Sequence, residues 1–116
     1  MSCAASLATL RVIQDDHLLA GVAAKSALLK AELATIPGVR AVRGRGLLLA
    51  AEMDSYAVLK PVIDAAIARG VLTDWFLFCD NSLRCAPPLT ISEAEIRFAG
   101  AALREAAAAV AVLGIG

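Results

Sequence analysis

Aromatic side chains are scarce in this 116-residue chain: one Trp, one Tyr and three Phe make up 4%. Platforms for stacking nucleic-acid bases are therefore not expected. An excess of one charge is also missing, because 11 Lys and Arg balance 11 Asp and Glu. A nucleic-acid footprint needs a basic excess or patch, so no nucleic-acid partner is expected. There is a single histidine, and the three cysteines, Cys3, Cys79 and Cys85, form no CxxC pair. That excludes a zinc pattern and a disulfide framework, and makes a reducing cytoplasm the simplest location. No apolar run reaches membrane-spanning length; the longest, Ala106 to Gly116, is too short. The N-terminus lacks the charged start of a signal peptide, and Arg11 interrupts its apolar stretch. No membrane partner is expected.

What the chain has in abundance is apolar surface. Hydrophobic residues make up 59%, against about 45–50% in an average globular protein, and alanine supplies much of the excess. A domain of this size buries only roughly two-thirds of its unfolded surface. The surplus implies a partner surface, either another copy of the chain or a missing domain.

Taken in order, Ser2 to about Gln14 has a helical pattern with Cys3, Leu7 and Leu10 near one face. It starts abruptly, as a chain cut from something longer would. Asp15-Asp16 is expected to interrupt it and cap a second helix running to Ile36, with Leu18, Val22, Leu29, Leu33 and Ile36 on one stripe. Pro37-Gly38 stops that helix. Val39–Arg43 and Leu47–Met53 read as strands around a Gly44-Arg45-Gly46 turn. Both faces of the second strand are largely apolar, so it is expected to be central or covered on both sides. Ser55 to Arg69 is a third helix, its regular part beginning near Leu59 with Pro61 in the first turn. Val71 to Thr73, extending toward Phe78, is a third strand, and Asp80-Asn81 is expected to turn the chain into a fourth. A last helix covers about Glu93 to Val112, and Gly114-Ile115-Gly116 is expected to fray. With no repeat or linker, residues 1–116 read as one domain. The order predicts an α+β fold of two layers, a small, mainly antiparallel sheet with helices packed on one face.

The most informative stretch is Leu83 to Glu95. Leu83 and Cys85 flank Arg84, so Arg84 points to the opposite face of an extended segment. Pro87 and Pro88 end the strand, and Ser92 with Glu95 forms a capping box for the last helix. An arginine held just before so rigid an exit suits a carboxylate- or phosphate-binding fork. An ion pair with a nearby Asp or Glu is the structural alternative.

Other chemistry-bearing residues read as structural. His17 follows two aspartates with no nucleophile beside it and reads as an exposed polar residue. Cys79 and Cys85 read as buried or incidental thiols. Gly44-Arg45-Gly46 lies outside a strand-to-helix junction and reads as a tight turn. Asp54, Asp64, Asp74 and Asp80 lack metal-loop spacing, so no metal site is expected. Lys25, Lys30 and Lys60 read as solvated helix positions. No residue of this chain is assigned a catalytic role.

Three stretches together resemble the C-terminal small domain of the class III pyridoxal-phosphate-dependent aminotransferases, the ornithine, acetylornithine and 4-aminobutyrate aminotransferase-like enzymes. Ser2-Cys3-Ala4-Ala5-Ser6-Leu7-Ala8 resembles a helix start of that family. Pro37 to Leu47 resembles its Gly-Arg-Gly-Leu strand pair. Leu83-Arg84-Cys85-Ala86-Pro87-Pro88-Leu89-Thr90 resembles its Leu-Arg-x-x-Pro-Pro-Leu segment, with Cys85 in place of a larger aliphatic residue. The resemblance implies that Arg84 binds or positions a substrate carboxylate. It also implies that the cofactor lysine, the aspartate facing the pyridine nitrogen and the phosphate-binding groups lie upstream of the matched region. The expectation is then a separated aminotransferase small domain, inactive alone and binding no pyridoxal phosphate by itself. Such a domain would pair with its large domain or self-associate.

Overall fold

The computed structural model describes residues 1–112; the fraying expected at Gly114-Ile115-Gly116 lies outside the described residues. Helix α1 spans Ser2–Asp15, followed by a 3-10 turn at Leu18–Gly21 and helix α2 at Val22–Ala34. Strands β1 (Ala41–Arg45) and β2 (Leu48–Glu52) lead to helix α3 (Tyr56–Ala68), then β3 (Asp74–Phe76), β4 (Cys79–Cys85) and helix α4 (Glu93–Val112). The four strands form one antiparallel sheet in the order β1-β2-β4-β3. Helix α3 carries the chain over β4, which fills the gap between β2 and β3. The predicted α+β fold, with helices on one face of a small antiparallel sheet, is the fold observed.

Burial explains the arrangement. Leu49, Ala51 and Met53 from the β2 segment and Leu83 from β4 are buried in one cluster with Leu59, Val62, Ile63 and Ala66 of α3. Ile96, Leu103, Ala106 and Val110 of α4, and Leu29 and Leu33 of α2, complete it. These helical positions recur at the 3.6-residue spacing that gives each helix one apolar stripe. The strand β2 is interior in the sheet, as its sequence suggests. Its second face is not covered by helices: Leu48 is exposed there.

Several boundaries differ from the sequence expectation, each for a local reason. The second helix begins later, because a left-handed His17 (φ +52°) ends α1 and a 3-10 turn intervenes. The first hairpin closes two residues later than expected. Its loop is Gly46-Leu47, with Gly46 at φ +54°, a conformation in which glycine meets no Cβ penalty. Gly44 lies inside β1 at φ +132°, where a Cβ would meet the Leu48 carbonyl oxygen at 2.2 Å. Helix α3 starts at Tyr56 rather than near Leu59, because the Ser55 hydroxyl accepts the Val58 N–H at 3.3 Å. Pro61 therefore sits inside the helix, not in its first turn. The second hairpin turns at Leu77-Phe78, with Phe76 opposite Cys79. Asp80-Asn81 belongs to β4 instead. Asn81 is satisfied there by donating to the Met53 carbonyl at 3.1 Å and accepting from Ser82.

Helices α2 and α4 meet where Gly100 faces Glu32. A Cβ on Gly100 would lie 2.2 Å from Glu32 Oε2 and 2.9 Å from Glu32 Cβ. The Glu32 carboxylate accepts from the Arg104 guanidinium, which also donates to the Thr35 hydroxyl at 2.9 Å. At the start of α4, Ser92 and Glu95 form the expected capping box, and the Ser92 backbone N–H holds the Glu95 carboxyl below its usual pKa. Gly100→Ala is expected to destabilise the chain by about 1–3 kcal/mol through overpacking, despite gaining up to about 1 kcal/mol of helix propensity. Urea unfolding measures this; an unchanged or raised midpoint would mean that the α2–α4 contact opens without cost.

Candidate functional site

The site is built by strand alternation. On β4, Leu83 turns into the helix layer and is fully buried, so Arg84 must emerge on the uncovered face. In register across that face stand Arg43 on β1, Ala50 on β2, Arg84 on β4 and Asp74 on β3. Arg45 lies opposite Leu48, one pair further along. The small side chain of Ala50 leaves a hollow of about 740 Å³, bordered by Arg43, Arg45, Leu48, Phe76, Phe78 and Arg84. Leu77 and Phe78, the two residues of the β3–β4 turn, are 80% and 97% exposed at its edge.

The arginines of this face are not equivalent. Arg43 is fully engaged: it is ion-paired with Glu52 and donates to the Ser82 hydroxyl at 3.1 Å and the Cys79 sulfur at 3.3 Å. Among the described residues, no carboxylate lies within ion-pairing distance of the Arg84 or Arg45 guanidinium, and neither makes a side-chain hydrogen bond. Asp74, directly across from Arg84, turns its carboxylate to its neighbour's Trp75 N–H at 2.8 Å. The backbone at Arg84 is held firmly: its carbonyl accepts from the Thr73 hydroxyl at 2.8 Å. Beyond the two prolines, Lys25 Nζ donates to the Leu89 carbonyl at 2.9 Å and fixes the strand exit to α2.

The remaining candidates stand elsewhere. Lys60 is paired with Asp64 along α3, Lys25 is committed to Leu89, and Lys30 is exposed on α2. None of the three borders the hollow, so the described residues place no amine beside Arg84. A pyridoxal-phosphate site needs a lysine amine for its Schiff base and a partner for the pyridine nitrogen, and among the described residues no lysine lines this hollow. His17 is exposed at the end of α1. Cys79 and Cys85 do not face one another across a turn; both lie on β4, with Cys79 against Arg43 and Cys85 toward the helices. Burial pushes the Cys85 thiol up to about 12. Among the described residues, no group of three His, Cys, Asp or Glu side chains is placed to hold a metal ion. Also among them, no helix is long and apolar enough to cross a membrane. Sequence reasoning passed over Arg45, taken as part of a turn. The signal was the two-residue alternation from Arg43, but it becomes readable only once the hairpin is closed at Gly46-Leu47.

The comparisons with known proteins agree with this architecture. Residues 1–107 match the family described as Aminotransferase class-III. The chain is 40% identical over 103 residues to the acetylornithine aminotransferase of Corynebacterium efficiens, covering 89% of this chain and 25% of that protein. It is 34% identical over 105 residues to the ornithine aminotransferase of Bordetella pertussis, with 89% and 25% covered. Among solved structures, the ornithine aminotransferase of Toxoplasma gondii superposes with a TM-score of 0.81 at 28% identity, covering 95% of this chain and 27% of that one. That enzyme carries pyridoxal phosphate at partial occupancy in its active site. The chain therefore belongs to the class III aminotransferase family, and it spans about a quarter of the length of the relatives it matches.

The Cys85 thiol provides a pH test of the helix-side packing. A thiol whose folded pKa is raised contributes stability that is fully present below its ordinary value near 9 and is lost as pH rises toward about 12. The stability difference between the wild-type chain and Cys85→Ala should shrink by up to about 1.4 kcal/mol per pH unit above that ordinary value. Urea midpoints measured on both proteins from neutral to alkaline pH check this. A difference that stays constant would mean that Cys85 is open to water.

Proposed function

We propose that this chain is the C-terminal small domain of a class III aminotransferase, inactive alone, and that it supplies the carboxylate-binding arginine of the substrate site. In the complete enzyme the reaction is amino-group transfer between an amino donor and a 2-oxo acid. The observation that carries this reading is Arg84: a guanidinium on a rigid strand, unpaired among the described residues, with no amine beside it. A planar two-pronged donor suits a substrate carboxylate. On this reading pyridoxal phosphate is held by the large domain, and the cell makes the protein in the cytoplasm, where the three free cysteines remain thiols.

A second reading has support from helix α1. None of its residues is buried, and Leu7, Leu10 and Val12 are exposed along it, as is Leu19 beyond. A surface of this kind wants cover. A self-associating interaction module would cover it with another copy; a small domain would cover it with its large domain.

The purified chain should show no amino transfer and no saturable binding of pyridoxal phosphate by absorbance. In the full-length enzyme, Arg84→Ala should raise the KM for a 2-oxo acid at least tenfold, a loss of about 1.5–3 kcal/mol. Arg84→Lys should recover only part of it, because an ammonium cannot reproduce the two-pronged contact. Unchanged kinetics in both variants would remove Arg84 from the substrate site. A stable oligomer of the chain alone, seen by its mass in solution, would favour the second reading.

A further inference from the structure

The pairing pattern of the arginines singles out one place on the molecule. Five of the eight arginines, Arg40, Arg43, Arg69, Arg97 and Arg104, sit within ion-pairing distance of a carboxylate. Of the other three, Arg84 and Arg45 border the same hollow, and no Asp or Glu lines it. Apart from Arg43 and the Cys79 thiol, the rest of its lining is apolar: Ala50 forms the floor, and Leu48, Phe76 and Phe78 form walls. Neighbouring strands lie about 4.8 Å apart. Arg43 and Arg84 therefore rise about 10 Å from each other across Ala50, and Arg43 is already occupied by Glu52 and Ser82. One arginine closes that side, and the others remain available to an anion.

We propose that this hollow binds a carboxylate carrying an aromatic or branched aliphatic body. Arg84 takes the headgroup, with Arg45 adding charge from β1, while the body packs on Leu48, Phe76 and Phe78. The hollow, at about 740 Å³, is within the size of ordinary small-molecule sites, which are mostly apolar with a few placed polar groups. The proposal rests on the carboxylate role of Arg84 and adds the substrate class: acids with a bulky apolar side group, in preference to small acids.

The test titrates the chain with phenylacetate, with neutral phenylethanol and with acetate, following amide NMR shifts in β2 and β4. Phenylacetate should bind at least about tenfold more tightly than phenylethanol, the difference one charge-assisted contact supplies, and at least about tenfold more tightly than acetate, through burial of its ring. Arg84→Gln should remove its advantage over phenylethanol, and Phe78→Ser its advantage over acetate. Both side chains are exposed, so neither change threatens the core; circular dichroism confirms the fold of each variant. Equal binding of phenylacetate and phenylethanol, or no saturation by any of the three, overturns the proposal. Equal binding of acetate and phenylacetate that still depends on Arg84 overturns the apolar preference alone and leaves the carboxylate role standing. Binding of phenylacetate that is indifferent to Arg84→Gln removes both.

Discussion

The sheet is covered on one face only, and most of the molecule follows from that. Leu49, Ala51 and Leu83 are buried among α2, α3 and α4, and a strand that sends these residues inward must send Ala50 and Arg84 outward. A slip of one residue would place the Arg84 guanidinium among Leu59, Ile63 and Ile96, where an unpaired charge costs several kcal/mol (~3–5). Register is thus enforced by burial, and the position of the arginine is a consequence of hydrophobic packing. The ends of the strand are tied as well. Thr73 holds the Arg84 carbonyl, Lys25 holds the Leu89 carbonyl, and the Ser92–Glu95 box begins α4 directly afterwards. A floppy side chain is thereby mounted on a backbone with little freedom.

The helices and the arginine strand were readable in the residues because their signals are periodic. The stripe Ile96, Leu103, Val110 identifies α4, and the Leu83-Arg84-Cys85 alternation identifies the outward arginine. What escaped depends on contacts between distant segments. Leu77-Phe78 does not look like a turn, since both residues are apolar, and Asp80-Asn81 does. The chain turns at the former because Asn81 finds polar partners inside the sheet, among them the Met53 carbonyl, 28 positions away. Gly100 resembles a weak point in a helix until Glu32 is placed against it. Arg45 is indistinguishable from a turn residue until the hairpin register is known. The free state of Arg84 was likewise invisible, because Asp74 is a suitable partner in sequence, and only the structure shows its carboxylate turned to the Trp75 N–H and out of pairing distance of Arg84.

Separating the two faces of the sheet also separates stability from chemistry. The helix face carries the core, and its substitutions are felt as cavities or overpacking. The open face carries Arg45, Arg84 and the Leu77-Phe78 turn, which contribute little buried area. An exposed guanidinium without a partner adds almost nothing to folding, and an exposed phenylalanine adds nothing that a polar residue would lack. A chain selected for stability alone has no use for two unpaired arginines beside bare apolar walls. Their coincidence on the one face that the helices leave uncovered is the observation that supports the proposed carboxylate site. The neutral net charge sharpens the point: the acidic residues suffice to match every basic one, yet at this hollow Glu52 is spent on Arg43 and, among the described residues, no carboxylate pairs with Arg45 or Arg84.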